Sequence, residues 1–337
     1  MNVTPDGALS TSPRPRAPRV VAISGGVGGA KMSLGLMHVV PADRLSVVVN
    51  TGDDFEHLGF YISPDLDTTL YTLAGLANPE TGWGRRDETW TFMSTLESLG
   101  GETWFKLGDG DIALQVERTR RLKAGASLTT FTAEIAQRLG IGAQILPMSD
   151  DPVRTRVTTD VGDLDFQDYF VRRQCLPRVA ALRFTGADTA VPTAQVCAAL
   201  TAADVDAIII CPSNPYLSVD PILALPGLRE LLKQASAPVL AISPLVGGQA
   251  VKGPTAKIMK ELGISVSPLA VARHYGDLLD GFVLDVRDAA VEGGLRELGL
   301  PTLVTDTLMK TLEDRQRLAA ETLKYALTLG KRKAGRV

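Results

Sequence analysis

The chain is poor in the residues that build zinc centres and disulfide frameworks. It has 337 residues but only three histidines and three cysteines. Cys175, Cys197 and Cys211 lie in separate segments without CxxC spacing, so we expect neither a zinc site nor a disulfide scaffold. Packing as small apolar side chains is the ordinary role of such cysteines.

The chain also lacks long apolar runs and an excess of basic residues. No apolar run reaches the roughly 18 residues of a membrane span, and the first residues lack the hydrophobic stretch of a signal peptide. The 35 Lys and Arg stand against 38 Asp and Glu, which argues against a broad basic surface for nucleic acid. We therefore expect a cytoplasmic protein that binds neither a membrane nor a nucleic acid, although a small anion needs only a local nest of amides.

Short apolar runs that alternate with helical patterns indicate an α/β protein with a doubly wound, mainly parallel sheet. The predicted strands of this core are Val20 to Ile23, Leu45 to Val49, Val179 to Arg183, Ala207 to Cys211 and Pro238 to Ser243. Ligands of open α/β sheets bind at the carboxyl ends of the strands. The loops that follow these strands are therefore the candidates for a functional site.

The pattern changes along the chain and predicts a division into four parts. Residues 1–18, rich in Pro, Ser and Arg, are predicted to form a disordered tail. Residues 19–78 and 175–305 form the nucleotide-binding core, and the amphipathic helices and short polar strands of residues 79–174 form an inserted α+β cap. Residues 306–337 are predicted to be a C-terminal helix with a basic tail.

A glycine-rich loop from Ser24 to Lys31 follows the first predicted strand. The amides of Gly25, Gly26 and Gly28 at a helix N-terminus favour an anion, and Lys31 adds a positive charge. The loop fits neither Walker A, which needs Gly before the Lys and Ser or Thr after it, nor the dinucleotide fingerprint, whose third glycine position is Lys31 here. A phosphate site and a structural turn both stay open.

Four aspartates lie close together after the second predicted strand: Asp53, Asp54, Asp65 and Asp67. Carboxylates at a concave sheet edge raise one another's pKa unless a cation neutralises them, and hard oxygen ligands suit Mg²⁺. The cluster predicts a magnesium site, with a solvated acidic surface as the alternative. His57 lies among these aspartates, and we expect it to pack or hydrogen-bond rather than to catalyse.

Two later loops also follow predicted strands. Ser213 and Asn214 could read the edge of a base or ribose, although a turn that only separates a strand from a helix would look similar. Ser243, Gly247 and Lys252 belong to a second glycine-rich loop. Two glycine-rich loops that face one another indicate a diphosphate ligand.

The predicted cap combines aromatic and charged residues around Lys106. Trp83, Trp104 and Phe105 would suit a flat aromatic ligand, but tryptophans also pack in cores.

With these motifs in view, the chain resembles the 2-phospho-L-lactate transferase family of coenzyme F-420 biosynthesis across nearly its whole ordered length. The resemblance rests on the order and spacing of several segments rather than on any one. These are SGGVGGAK at 24–31, NTGDD at 50–54, SPDLDTTLYTLAGL at 63–76, KLGDGDIAL at 106–114, ILPMSDDPVRT at 145–155, SNPYLSVDPIL at 213–223 and SPLVGGQAVKGP at 243–254.

The resemblance implies a Rossmann-like domain with a cap and a magnesium-dependent transferase. Such an enzyme moves a 2-phospho-L-lactate, phosphoenolpyruvate or 3-phosphoglycerate moiety from a guanosine diphosphate-type donor to the ribityl hydroxyl of 7,8-didemethyl-8-hydroxy-5-deazariboflavin, called Fo, and releases GMP. By the same resemblance, Asp53 and Asp65 hold the metal, the cap contributes to the acceptor site, and Asp67 and Lys106 contact Fo.

The resemblance also implies the residues that bind the donor. The two glycine-rich loops would hold its diphosphate, and Asn214 with Ser213 its guanosine. Considerations of charge add that the metal ion and Lys31 or Lys252 would stabilise the departing GMP, and that Asp53 or Asp54 would accept the hydroxyl proton. The implied donor site therefore comprises Gly25, Gly26, Gly28, Lys31, Ser213, Asn214, Ser243, Gly247 and Lys252.

Two other functions compete with the transferase. A nucleotide-binding regulator of the related sugar-nucleotide-binding morphogenesis family would share the glycine loop and acidic strand end, but that family lacks the PDLDT and KLGDGD pair. An NAD-dependent oxidoreductase would use Asp53 on a ribose and leave the other carboxylates without a purpose.

The first glycine-rich loop departs from the pattern of archaeal 2-phospho-L-lactate transferases. Val27 and Gly29 stand where those proteins often have threonines, so the loop does not indicate which organic acid the donor carries. A homodimer is compatible with the sequence, which does not reveal the oligomeric state.

Overall fold

The structure, a computed structural model, describes residues 16–330, in which short strands alternate with helices. The strands of this part are β1 Arg19–Ser24, β2 Leu45–Val49, β3 Phe55–His57, β4 Phe60–Ile62, β5 Gln144–Pro147, β6 Arg154–Thr159, β7 Gly162–Asp165, β8 Val179–Thr185, β9 Val205–Ile210, β10 Val239–Ile242, β11 Leu245–Val246, β12 Gln249–Ala250, β13 Gly281–Asp285 and β14 Thr302–Thr305. The α-helices are α1 Gly26–Val39, α2 Pro64–Leu73, α3 Thr91–Ser98, α4 Asp109–Lys123, α5 Leu128–Arg138, α6 Ala194–Thr201, α7 Asp220–Leu223, α8 Leu228–Gln234, α9 Thr255–Glu261, α10 Pro268–Tyr275, α11 Glu292–Glu297 and α12 Leu312–Leu329.

The central sheet has seven strands in the order β14-β13-β10-β9-β1-β2-β5, and every neighbouring pair is parallel. The chain begins in the middle at β1, moves outward through β2 to β5, and returns to β9 on the other side of β1. This reversal is the switch point of a doubly wound sheet, where ligands bind beside the carboxyl ends of the strands. The predicted α/β fold class is confirmed.

The central strands are mainly apolar because helices cover both faces of the sheet. β2 and β10 are buried at every residue. Successive residues of β1 enter opposite layers, since Val21 and Ile23 join one core cluster and Val20 and Ala22 join the other. The second layer includes α1 and α12, which pack against each other.

Two strands lie elsewhere than the sequence indicates. The strand predicted over Val179 to Arg183 forms as β8, but it pairs with β6 in a separate antiparallel sheet of order β7-β6-β8. Conversely, β5 falls within the predicted cap segment and forms the edge of the central sheet beside β2. Local sequence pattern did not reveal either position. β8 is buried only in part, as suits a strand outside the central sheet, and β5 is too short to show an alternation of buried and exposed residues.

The ends of the chain differ in detail from the prediction. The last helix begins at Leu312 and not at the start of the predicted segment 306–337, because Thr311 and Asp314 form a capping box there. The predictions for residues 1–15 and 331–337 lie outside the described residues, and Arg16 forms ion pairs with Asp204 and Asp206. In the described part, no helix has the length and apolar character needed to cross a membrane.

Candidate active site at the switch point of the sheet

A cleft of about 610 Å³ opens beside the carboxyl ends of the central strands, a volume typical of small-molecule sites. The loops after β1, β2, β9 and β10 line it, together with residues of α2, α4 and the segment 81–84. The predicted site residues that line the cleft are Gly25, Gly26, Gly28, Lys31, Asp53, Asp65, Asp67, Lys106, Ser213, Asn214, Ser243 and Lys252. Asp54 and Gly247 do not line it.

The first glycine-rich loop leads directly from β1 into α1 and packs tightly on the loop after β9. Gly25 is the N-cap and supplies no side-chain cap. The Gly26 amide hydrogen-bonds to Asp65, so the amides of α1 that are left for an anion begin at Val27. The Ser213 hydroxyl donates to the Gly25 carbonyl at 2.8 Å and accepts from the Gly25 amide at 3.1 Å. Ser213 therefore holds the loop in place, and because it also lines the cleft its contact with the donor stays a prediction.

Asp53 and Asp65 form an acidic pair at the end of β2 and the start of α2. Oδ2 of Asp65 accepts from Nδ2 of Asn50 at 3.0 Å, whereas Oδ1 of Asp53 is buried without a hydrogen-bond partner. Burial raises the pKa of Asp53 well above its ordinary value, and the charge of Asp65 raises it further. Burial also raises the pKa of Asp65. A bound cation would stabilise the charged form of both carboxylates.

The donor set of this pair fits the predicted magnesium ion. Mg²⁺ usually binds one or two carboxylates together with waters and substrate phosphates, and the unpartnered oxygen of Asp53 is available for it. Across residues 16–330, no group of three or more His, Cys, Asp or Glu side chains could hold a metal ion. A magnesium ion here would therefore depend on the substrate for part of its coordination, and the site stays a prediction.

Asp54 is turned away from the cleft, which corrects its predicted role as a base. Its Oδ2 accepts from the hydroxyl of Tyr61 at 3.1 Å and from that of Ser63 at 2.8 Å. Burial raises the pKa of the Asp54 carboxyl to about 7. Because the contacts are with the β4 strand and the start of α2, Asp54 anchors these elements to the end of β2.

Asp67 lines the cleft but is held from behind by α4. Arg118 pairs with both of its oxygens, with Nη1 at 3.2 Å from Oδ2, and Nε2 of Gln115 donates to Oδ2 at 2.9 Å. Gln115 also donates to Asp111 at 3.1 Å, as does the Tyr71 hydroxyl at 2.7 Å. The sequence reasoning missed Arg118 and Gln115, and it included Asp111 only within the segment 106–114. Their helical spacing, which places all three on one face of α4, was the available signal.

Aromatic side chains line the cleft beside Lys106, in agreement with the expected surroundings of a flat ligand. Phe105, Phe166 and Phe170 contribute, and the last two rings stack with centroids 5.3 Å apart. Lys106 is exposed and has no hydrogen bond or ion pair with any of residues 16–330. His57 does not itself line the cleft, and its ring packs against those of Trp104 and Phe105, with centroids 5.0 and 5.8 Å apart.

Lys31 and Lys252 bring positive charge to the cleft from different loops. Nζ of Lys31 donates to the Met309 carbonyl at 3.2 Å, and Nζ of Lys252 donates to the Thr81 carbonyl at 2.9 Å. Burial lowers the pKa of Lys31, and the charges of Arg315 and Lys252 lower it further. An anion bound between the lysines would relieve this repulsion.

The second glycine-rich loop is occupied by a carboxylate of the same chain, which corrects the predicted role of Gly247. The amides of Gly247 and Gly248 donate to the two oxygens of Asp288 at 2.8 and 2.7 Å. The hydroxyl of Ser243 likewise exchanges hydrogen bonds with the backbone of Leu245. This loop therefore offers Lys252 and the cleft-lining backbone near Ser243, but not the amide of Gly247.

Asn214 lines the cleft and carries a hydrogen-bond donor that has no partner in the described part of the chain. Its Oδ1 accepts from the amides of Tyr216 and Leu217 at 3.0 and 3.2 Å and so caps the turn Pro215–Val219. Nδ2 of Asn214 is buried without a partner. Because the oxygen is fixed by the cap, only the amide nitrogen is left for a ligand.

Two similar proteins with curated names are transferases. The sequence profile of the family described as 2-phospho-L-lactate transferase CofD matches residues 20–328. A phosphoenolpyruvate transferase of Kitasatospora aureofaciens is 43% identical over 300 residues, which cover 86% of this chain and 93% of that protein. A 2-phospho-L-lactate transferase of Methanosarcina acetivorans is 40% identical over 300 residues, which cover 89% of this chain and 96% of that protein.

A solved structure shares the fold at low sequence identity. It is a protein of the upf0052 family from Bacillus halodurans, with a TM-score of 0.61 and 16% identity, and the match covers 92% of this chain and 99% of that one. This likeness concerns the fold alone.

Proposed function

Because the chain belongs to the 2-phospho-L-lactate transferase family, and so is a phosphotransferase of coenzyme F-420 biosynthesis, we propose that it uses a guanosine diphosphate-type donor and the deazaflavin Fo as acceptor. In this reaction the phosphorylated organic acid passes to the ribityl hydroxyl of Fo, and GMP is released. The observation that carries the proposal is the cleft itself, which brings together basic side chains, the N-terminus of α1, aromatic rings and buried carboxylates.

The donor side of the cleft suits a nucleoside diphosphate. The first amides of α1 and the side chains of Lys31 and Lys252 supply hydrogen bonds and positive charge for the diphosphate. The free N–H of Asn214 suits the acceptor atoms of guanine, whereas adenine presents an amino group at the equivalent position. The donor would thus lie between the loops after β1, β9 and β10.

The acceptor side suits a flat ring with a polar chain. Phe105, Phe166 and Phe170 offer faces and edges for stacking, while Asp67 and Lys106 offer groups for hydroxyls or ring substituents. Since these residues come from α2 and from segments around residues 105 and 166–170, the acceptor would enter opposite the donor.

The proposed reaction depends on position and charge more than on covalent chemistry. The ribityl oxygen forms a bond to the phosphorus that carries the organic acid, and the bond from that phosphorus to the GMP oxygen breaks. Lys31 faces the charge that develops on the leaving GMP. The hydroxyl proton is assigned to Asp53, a carboxylate that lines the cleft. Asp53 and Asp65 would hold Mg²⁺, which when bound would neutralise phosphate charge.

A product assay tests the proposal and also chooses the donor. The purified protein is incubated with Fo, Mg²⁺ and in turn the phospholactate, phosphoenolpyruvate or phosphoglycerate derivative of the guanosine donor, and the product mass is measured. We expect GMP release and one adduct of Fo. Relatives named for phosphoenolpyruvate and for 2-phospho-L-lactate are 43% and 40% identical, so identity alone does not choose between them. Absence of product with all three donors would refute the proposal.

Lys106→Ala is expected to weaken Fo binding by about tenfold or more, the usual effect of losing a hydrogen bond to a charged group. Affinity for GDP should change by less than about twofold, because Lys106 lies away from the loops that would hold the diphosphate. Fluorescence titration with Fo and calorimetric titration with GDP measure the two affinities. The matched control is Lys123→Ala, an exposed lysine of α4 outside the cleft. Equal loss of both ligands would instead indicate a folding defect.

Asn214→Asp is expected to remove the preference for GDP over ADP, a change of about 1 to 3 kcal/mol. The aspartate keeps an oxygen that caps the turn Pro215–Val219 and loses the N–H that faces the cleft. Any repulsion from its charge acts on both diphosphates and cancels in the ratio of affinities. Calorimetric titration of each nucleotide gives that ratio, with Asn214→Ala as the variant that loses the cap as well. Equal binding of GDP and ADP by the wild-type protein would disprove the guanosine assignment.

A further inference from the structure

Arg118 is the feature of the cleft wall that the proposed reaction does not use. It lies in the middle of α4 with a side chain that is 1% exposed. Burying an arginine with its ion-pair partner is often no more stabilising than burying apolar side chains of the same size. Stability is therefore a weak explanation for a guanidinium at this position.

The contacts of Arg118 connect three parts of the cleft wall. Its guanidinium pairs with Asp67, donates to the Tyr61 carbonyl at 3.4 Å and to the amide oxygen of Gln115, and lies 5.4 Å from the centre of the Phe131 ring. Gln115 donates onward to both Asp67 and Asp111. One buried cation therefore fixes α2, β4 and α4 relative to one another.

The cleft contains two pairs of carboxylates that differ in how they are neutralised. Asp67 and Asp111 have Arg118 and Gln115 behind them. Asp53 and Asp65 line the same cleft, and within residues 16–330 neither forms an ion pair with a basic side chain. A divalent cation would therefore bind more tightly to Asp53 and Asp65, because the oxygens of Asp67 already accept hydrogen bonds from Arg118 and Gln115.

We infer that Arg118 is a positioning residue: it is the built-in counter-cation of Asp67 and Asp111, keeps them from binding a divalent metal ion, and holds Asp67 in place for the acceptor. The part that concerns the acceptor rests on the proposed function. The part that concerns the metal ion rests only on the contacts of Arg118.

Counting bound Mn²⁺ tests the counter-cation role without any assay of activity. Mn²⁺ accepts the same oxygen ligands as Mg²⁺, and electron paramagnetic resonance reports free and bound ion. We expect Arg118→Met to bind one Mn²⁺ more than the wild-type protein, whatever the wild-type count, and Asp67→Asn/Arg118→Met to return to that count. The control Arg121→Met, which removes the α4 arginine paired with Glu134 outside the cleft, should leave it unchanged. A folded Arg118→Met variant with the wild-type count overturns the inference.

Arg118→Lys tests the positioning role and covers the case in which Arg118→Met fails to fold. Lysine keeps the charge but cannot bridge Asp67 and the Tyr61 carbonyl as a fork. We expect about tenfold weaker Fo binding, no additional Mn²⁺, and GDP affinity within about twofold of the wild type. Unchanged Fo binding overturns the positioning role. If the wild-type protein itself does not bind Fo, the proposed function fails, and the Mn²⁺ counts still decide on the counter-cation.

Discussion

Asp53→Asn is expected to lower the rate of transfer by on the order of a hundredfold or more while the protein stays folded. Oδ1 of Asp53 is buried without a partner, and Asp65 lies close enough to raise the pKa of Asp53. Asparagine keeps the size of the side chain and removes the charge that would bind Mg²⁺. The same change relieves repulsion between buried carboxylates, so the melting temperature of the free protein should not fall.

Initial rates over a range of Mg²⁺ concentrations measure this effect, and circular dichroism checks the fold. The matched control is Asp188→Asn, which removes an exposed carboxylate outside the cleft and should leave the rate within about twofold. Wild-type activity that survives excess chelator, or an Asp53→Asn variant as active as the wild type, would contradict a metal role for Asp53.

Local sequence pattern predicted the parts of the site that depend on strand ends. Apolar runs such as Leu45–Val49 end in polar loops, and the parallel order of the sheet brings those loops to one edge. Gly25, Asp53, Asn214 and Lys252 were therefore predictable as members of one cleft. Their common property is that a single strand or loop determines where each of them lies.

The sequence pattern did not predict the role of a residue where its hydrogen-bond partner comes from another segment of the chain. The sequence around Gly247 does not show that its amide donates to Asp288. The sequence around Asp54 does not show that its carboxylate accepts hydrogen bonds from Tyr61 and Ser63 and does not line the cleft. Hydrogen-bond partners of this kind depend on tertiary packing, which short-range periodicity does not encode.

Gly28→Val is expected to abolish measurable GDP binding, and the structure supplies a reason beyond close approach of a phosphate. A Cβ at position 28 would lie 2.3 Å from the carbonyl oxygen of Pro212, so the loop after β1 must shift against the loop after β9. The amides at the start of α1 would move with it and lose their common direction. An overpacked site of this kind also costs about 1 to 3 kcal/mol of stability.

Two measurements on Gly28→Val separate these causes. If contact with Pro212 is responsible, the melting temperature falls in the absence of any ligand, whereas a clash with the phosphate alone leaves it unchanged. Calorimetric titration with GDP measures the binding, and Gly293→Ala is the control, because a Cβ there meets nothing within 4 Å. GDP binding by Gly28→Val at wild-type affinity would show that the first amides of α1 do not hold the diphosphate. The donor would then have to be placed on Lys31 and Lys252 without them.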